Sequence, residues 1–191
     1  MPGMNDATLY SDPDFIEGCA VLADMRLCFD AYHYHHQNAG LTTLARAFPE
    51  VEIVLDQLGT PLGVGPYADR REEIYLQWAV DIRDLASCPN VSMKLGGLAM
   101  PWNSFGYYDD VRLPTSDELV SQQARYYHYA IEQFGPDRCM FESNFPVDKC
   151  TLSYAVLWNA FKKLAADYSE AEKDSMFRGT ATRVSQLEPV R

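Results

Sequence analysis

The sequence predicts an α/β fold with about four parallel strands and flanking helices. A leading amphipathic helix is followed four times by a short apolar run and a helical segment, an order typical of parallel βαβ units. The apolar runs end in polar or Gly/Pro-rich stretches, as strands do before loops. With 191 residues, 47% of them hydrophobic, the chain can bury one core, and we treat residues 1–191 as one domain.

The first half of the chain predicts two strand–helix units after a leading helix. Asp12 precedes Pro13 as an N-cap precedes the first helical position. Residues 27–32 form the first predicted strand, residues 41–48 a short helix, and residues 51–55 a β-branched strand. Each strand is therefore expected to bring the residues that follow it to one edge of the sheet.

The middle of the chain alternates long loops with longer helices. Residues 56–66 are rich in glycine and proline and predict a loop, and residues 91–95 predict the third strand. Residues 96–114 predict a long loop that suits an apolar lid or a segment packed without ligand, and its aromatic residues are Trp102, Phe105, Tyr107 and Tyr108. The two helices each carry one apolar face, formed by Ile74, Trp78, Ile82 and Leu85 in the first and by Leu119, Gln123, Tyr127, Ile131 and Phe134 in the second.

The last strand changes abruptly from apolar to polar residues. Residues 139–141 are apolar, and Glu142 and Asn144 follow before Pro146 ends any ladder pairing. Another helix follows, and the spacing of Ser169 and Glu172 predicts a capped final helix that ends near Gly179. Polar groups at the carboxyl ends of parallel strands face the ligand crevice in α/β folds, so this stretch is the first candidate for a site.

Composition and charge exclude several classes of protein. The net charge of −11 disfavours binding to nucleic acid or to an anionic membrane, and no apolar run has the ~20 residues of a membrane helix. Five cysteines without a Cys-x-x-Cys pair form neither a disulfide framework nor a zinc motif. We therefore expect a cytoplasmic protein without a secretory signal, acting on a small molecule.

Three motifs carry a resemblance to a known family. The stretches Leu-Asp-Gln-Leu-Gly at 55–59, Lys-Leu-Gly-Gly-Leu at 94–98 and Met-Phe-Glu-Ser-Asn-Phe-Pro-Val-Asp at 140–148 resemble strand ends of the amidohydrolase-related (amidohydrolase 2) family. Within it they are most similar to predicted metal-dependent TIM-barrel hydrolases, including lactonases that act on sugar lactones and pyrone carboxylates. The resemblance implies a partial (β/α)8 barrel, with the N-terminal strands and their His-x-His pair missing from this chain.

Two departures from the family pattern concern metal binding. Gln57 stands where the family often has histidine, and Asn144 where it often has aspartate. Amide oxygens are weak zinc ligands beside imidazole or carboxylate. Although the family often uses a divalent metal such as zinc, we expect no cofactor bound in this chain.

The candidate site has a catalytic and a substrate-binding group. The residues expected to position the attacking water are Glu142, Asn144 and Asp148, and those expected to hold the substrate are His35, Asp56, Gln57 and Lys94.

Structural alternatives stand beside these roles. Lys94 is structural if it pairs with Glu142, and an anion anchor if it faces the cleft free. Asp30 and Asp56 are expected either to act as acid or base, or to cap a helix or pair with a cation. Asp148 is expected either to act as a base or to begin the next helix, where Thr151 or Ser153 competes for the cap.

The histidine cluster also leaves alternatives open. In one interpretation His33 and His35 form a two-histidine metal site. In another, His35 donates a hydrogen bond to a substrate carbonyl, and in the third these are exposed loop histidines.

The functional hypothesis is a hydrolase acting on a lactone- or amide-type small molecule. Its first alternative is a truncated, non-catalytic half barrel whose open edges associate with a missing piece or with another copy in a homo-oligomer. The second is a decarboxylase on the same fold, which needs no water nucleophile.

Overall fold

A four-stranded parallel sheet with helices packed around it is the centre of the molecule. The computed structural model describes residues 6–105 and 112–187. The strands are β1 (Phe29–Ala31), β2 (Ile53–Leu55), β3 (Val91–Leu95) and β4 (Cys139–Phe141). They lie in chain order, and each neighbouring pair is parallel. The α/β class with four parallel strands is confirmed, while Tyr107 and Tyr108 lie outside the described residues.

Helices connect the strands and continue beyond the last one. The α-helices are α1 (Pro13–Met25), α2 (Asn38–Ala47), α3 (Arg71–Ala86), α4 (Ser116–Phe134), α5 (Tyr154–Leu164), α6 (Glu170–Asp174) and α7 (Thr180–Val184). A π-helical segment, Ser175–Gly179, joins α6 to α7. Single 3-10 turns occur at Leu9–Ser11, His35–Gln37, Asp56–Gly59, Gly65–Tyr67, Pro101–Asn103, Pro136–Arg138 and Val147–Cys150.

The predicted helix starts and apolar faces are confirmed. The Asp12 side chain accepts hydrogen bonds from the backbone N–H groups of Asp14 and Phe15, and Ser169 and Glu172 form a capping box. All the residues predicted for the inner faces of α3 and α4 are buried. Because both helices cover the sheet with these faces, the strand ends are held in a fixed arrangement.

Several predicted element boundaries are wrong. The strands expected over 27–32 and 51–55 are three residues each, since Arg26 adopts the left-handed conformation after α1 and the N–H of Val51 closes a turn onto Phe48. The short second helix begins at Asn38, because the 3-10 turn before it leads directly into the helix. Part of the loop expected over 56–66 is folded into the 3-10 turns given above.

The expected helix end near Gly179 is also wrong. Gly179 has helical backbone angles, with φ −60 and ψ −49, and the helical path continues to Val184. The Thr180 hydroxyl donates to the carbonyl of Asp137, and Val184 packs with Val54 and Met140. These tertiary contacts outweigh the tendency of glycine to end a helix.

Both outer strands have one neighbour each within the described sheet. Among residues 6–105 and 112–187, β1 pairs only with β2, and β4 only with β3. Beside β1, helix α1 buries little of its surface, and Ile16, Val21 and Met25 are exposed. An exposed apolar helix beside a strand edge marks a surface that another chain segment can cover. No described helix is long and apolar enough to span a bilayer.

Candidate functional site

The candidate site lies at the carboxyl edge of the sheet. Asp56 and Gln57 follow β2, Lys94 lies near the end of β3, and Glu142 follows β4. Because neighbouring strands are parallel and in close register, their ends bring these side chains together. This is the edge where α/β folds place ligand-binding groups.

Lys94 is held by two carboxylates. Its Nζ lies 2.8 Å from Oδ1 of Asp56 and 3.3 Å from Oδ1 of Asp30. The suggested pairing with Glu142 is therefore replaced by pairing across to the ends of β1 and β2. Burial acts to lower the pKa of Lys94, but the hydrogen bond and charge of Asp56 raise it above its usual value. Lys94 is thus a charged, paired group and not an unpaired anion anchor.

Three side chains form a hydrogen-bonded series across the end of the sheet. Nε2 of Gln57 donates to Oδ1 of Asn144 at 2.7 Å, and Nδ2 of Asn144 donates to Oδ1 of Asp148 at 2.8 Å. The backbone N–H of Gln57 donates to Oε1 of Glu142 at 3.2 Å. The loops after β2 and β4 are therefore joined by side-chain hydrogen bonds, and Asn144 is engaged on both sides of its amide.

Unusual backbone angles place these side chains. Gln57 has φ 54 and Asn144 has φ 51, both in the left-handed region. Asparagine tolerates that region, whereas glutamine is disfavoured there and must be held by its surroundings. Gly97 provides space, since a Cβ at this position would lie 2.6 Å from Cγ of Gln57. The indole of Trp78 also fixes this turn by donating to the carbonyl of Leu58 at 2.7 Å.

Sequence reasoning missed the role of the glycine pair after β3. A Cβ on Gly96 would meet the backbone carbonyl of Glu142, so the two loops approach each other closely only because Gly96 has no side chain. Two glycines directly after a strand are the signal that could have predicted this approach.

Burial changes the acidity of two carboxyl groups in the site. Burial raises the pKa of Glu142 to about 7 and the negative charge of Asp56 adds to this, while Lys94 and the N–H of Gln57 act against it. Burial also raises the pKa of Asp148 to about 7, against the hydrogen bond from Asn144. Asp148 is fully buried, and its Oδ2 has no hydrogen-bond partner among the residues that the structure describes. Both groups can exchange protons near neutral pH.

Asp148 does not cap the next helix. Ser153 is the N-cap of α5, and its hydroxyl accepts from the N–H of Val156. Of the two competitors that the sequence offered for this cap, Ser153 takes it, which leaves Asp148 to bond with Asn144.

His33 and His35 are buried, so their interpretation as exposed loop residues is wrong. His33 contacts the Tyr10 hydroxyl through Nδ1 at 2.6 Å and Oδ1 of Asn38 through Nε2 at 2.7 Å. His35 accepts through Nδ1 from the N–H of Leu62 at 3.2 Å. Burial lowers the pKa of His33 and His35 to about 4, so both are neutral at pH 7. The two rings therefore have different hydrogen-bond partners, His33 on Tyr10 and Asn38 and His35 on Leu62.

Comparison with known proteins places this chain in a family. The family model described as amidohydrolase matches residues 2–185. The chain belongs to the amidohydrolase family. It is 35% identical over 179 residues to the uncharacterized protein y4mH of Sinorhizobium fredii. This alignment covers 93% of this chain and 53% of that protein. It is 29% identical to an L-fucono-1,5-lactonase of Burkholderia multivorans, over 92% of this chain and 57% of the lactonase.

A solved structure supports the partial barrel. An amidohydrolase from Burkholderia multivorans with bound zinc aligns with a TM-score of 0.83 at 24% identity, covering 97% of this amidohydrolase-family chain and 62% of the other. The prediction of a partial TIM-barrel fold is therefore confirmed. The chain spans about half the length of the curated relatives it matches.

The described residues do not fit a zinc site of their own. Within residues 6–105 and 112–187, no group of three or more His, Cys, Asp or Glu side chains is arranged to hold a metal ion. The amides of Gln57 and Asn144 are bonded to each other, and neutral amides are weak zinc ligands.

Proposed function

We propose that this chain carries part of the active site of a lactonase-like hydrolase, one that opens the cyclic ester of a small molecule. The observation that carries the proposal is the half-buried Glu142 carboxyl, whose pKa is raised to about 7 at the carboxyl edge of the sheet. A base poised near neutral pH suits proton removal from water. The similarity to an L-fucono-1,5-lactonase supports a sugar lactone as the substrate.

Lactone hydrolysis needs one base and one proton donor. Water forms a new bond to the carbonyl carbon, the ring C–O bond breaks, one water proton goes to the base, and the ring oxygen gains a proton. Glu142 is assigned as the base, and its protonated form can return the proton to the ring oxygen. The nearby Lys94 ammonium offsets the negative charge of the surrounding carboxylates.

Asn144 and Asp148 are assigned as positioning residues for Glu142. Asp148 is fully buried and accepts a hydrogen bond from the amide of Asn144, and its charge also raises the pKa of Glu142. Asn144 in turn holds Gln57, whose backbone N–H reaches Glu142. This series fixes the direction of the Glu142 carboxylate, and Asp56 contributes by holding Lys94.

Hydrolysis of L-fucono-1,5-lactone by the purified chain tests the proposal. We expect turnover above the spontaneous rate, rising with pH up to about 7 because the base must be deprotonated. Glu142→Gln should lower kcat/KM by about 100-fold or more. Acid release is followed with a pH indicator for the wild type and for Glu142→Gln. Each rate is measured with and without a chelator.

The exposed Glu170→Gln variant is the matched control, and its rate should equal that of the wild type. A folded chain without turnover, or an active Glu142→Gln variant, would contradict the assignment.

A second candidate is a half barrel completed by another copy of the chain. The one-sided pairing of β1 and β4 and the exposed apolar residues of α1 favour it. Light scattering at micromolar concentration should then give the mass of a dimer, about 43 kDa from the 21.6 kDa chain. A stable monomer would exclude this assembly.

A further inference from the structure

A cleft lined by aromatic residues lies at the same edge of the sheet as Glu142. It has a volume of about 630 Å³, within the range of small-molecule sites, and we call it the aromatic cleft. Its larger lining residues are Tyr34, His36, Leu62, Val64, Tyr67 and Trp102. They come from the loops after β1, β2 and β3, so the cleft opens where the strands end.

Tyr32 lies beside this cleft. Its ring meets the ring of Tyr34, which lines the cleft, edge-on with the centroids 6.4 Å apart. Partial burial raises the pKa of Tyr32 to about 12, and the electrostatic effects of Tyr34 and Asp56 add to the rise.

The walls of the cleft are joined by hydrogen bonds. The N–H of Gly63 donates to the carbonyl of Trp102 at 2.9 Å, and Nδ2 of Asn103 donates to the carbonyl of Pro61 at 2.8 Å. The bond from Leu62 to His35 ties the same loop to the segment after β1. A Cβ on Gly63 would lie 2.6 Å from the carbonyl oxygen of Asn103, so the two loops touch. The cleft is preformed, which lowers the entropy cost of binding.

The lining chemistry favours a flat, uncharged ring. The rings of His36 and Tyr67 are nearly parallel, with an interplanar angle of 12° and centroids 6.1 Å apart. Aromatic faces carry negative charge density and attract the C–H groups on one face of a sugar ring. None of the described residues lining the cleft is Lys, Arg, Asp or Glu. A carboxylated ring would lose its hydration there without a cationic partner.

We propose that the aromatic cleft binds the uncharged ring of a sugar lactone by stacking and discriminates against rings that carry carboxylates. This inference rests on the proposed lactonase-like function and decides which of two ring classes the site accepts. The net charge of −11 acts in the same direction, because it repels anionic ligands.

Binding of a hydrolysis-resistant probe tests the cleft independently of turnover. L-fucono-1,5-lactam has an amide in place of the ring ester. Its affinity for the chain is measured by titration calorimetry and compared with that of 2-pyrone-4,6-dicarboxylate. We expect the lactam to bind at least ten-fold more tightly than the dicarboxylate. In ¹H–¹⁵N spectra, which contain three indole signals, the lactam should shift the signal that Trp102→Phe removes.

Matched variants locate the binding. Trp102→Phe should weaken lactam binding about ten-fold, whereas Trp158→Phe, in a separate cleft beside Tyr154, should leave it unchanged. Val64→Glu is the second variant, because Val64 is exposed and its replacement leaves the core intact. Its control is Leu76→Glu, at an exposed position on α3. Circular dichroism verifies folding of each variant.

The outcomes separate this inference from the proposed hydrolase function. Lactam binding at Trp102 without hydrolysis supports the cleft and contradicts the activity. Hydrolysis that is unaffected by Trp102→Phe and Val64→Glu contradicts the proposed role of the cleft in binding and leaves the proposed activity supported. Tighter binding of the dicarboxylate, or no lactam binding by the folded chain, also overturns the cleft.

Discussion

Replacing Lys94 with methionine is expected to lower the free energy of unfolding by about 2–4 kcal/mol at pH 8. Lys94 and Asp56 are only 23% and 17% exposed, so the Asp56 carboxylate would lose its compensating charge in a poorly hydrated position. Methionine keeps most of the side-chain volume, which limits the loss of packing. Urea unfolding of the wild type and the variant measures the difference.

The pH dependence identifies the cause of this loss. Burial raises the pKa of Asp56, so lowering the pH to 4.5 protonates part of the unpaired carboxyl and should reduce the destabilisation. Lys94 itself titrates above its usual 10.5 in the folded state, outside this pH window. The double variant Lys94→Met/Asp56→Asn should recover much of the lost stability at pH 8.

A surface ion pair provides the matched control. Lys163 and Asp117 are 42% and 82% exposed, so Lys163→Met should cost less than about 1 kcal/mol. Equal effects of Lys94→Met and Lys163→Met would show that the ion pair at the sheet edge is no more important than a solvated one.

Replacing Asp148 with asparagine is expected to make the protein more stable at pH 8 and to flatten the pH dependence of its stability. The pKa of Asp148 is raised from 3.8 to about 7 in the fold, so the native state binds this proton more tightly than the unfolded chain. Stability from this group is fully present below about pH 4 and is lost as the pH rises to about 7. A neutral asparagine avoids burying the charge.

The size of this effect has an upper bound. A shift from 3.8 to about 7 corresponds to roughly 4 kcal/mol at about 1.4 kcal/mol per pKa unit, and relaxation of the site reduces it. Oδ1 of the asparagine can still accept from Asn144, so the hydrogen-bonded series is retained. Urea unfolding at pH 5, 6, 7 and 8 measures the slope.

The exposed Asp167→Asn variant controls for the change in net charge. A slope for Asp148→Asn equal to that of the wild type would mean that Asp148 is ionised without cost, and the raised pKa would be wrong.

Lys94 and Asp148 affect stability in opposite ways at one edge of the sheet. Lys94 is a charge that stabilises by pairing, whereas Asp148 is a carboxyl that destabilises when it is ionised. Both groups act on Glu142, because the charge of Lys94 lowers its pKa and the charge of Asp148 raises it. If the proposed function is right, both variants should also change the pH profile of hydrolysis.

Local sequence patterns determined the architecture of this protein. Alternating apolar runs and amphipathic segments specify parallel strands and covering helices, because burial of one helical face needs only the 3.6-residue period. Capping pairs such as Ser169 with Glu172 are recognisable for the same reason: their hydrogen bonds join residues close in the chain. The polar residues after each strand likewise indicated where the site lies.

Only the tertiary structure decided how the site residues are paired. Lys94 pairs with Asp56 and Asp30, and Gln57 bonds Asn144 across 87 positions of the chain. Such contacts depend on loop conformation, including the left-handed angles of Gln57 and Asn144, which no local pattern specifies. The burial of His33 and His35 and the raised pKa values of Glu142 and Asp148 follow from what packs around them, because desolvation is a property of the assembled fold.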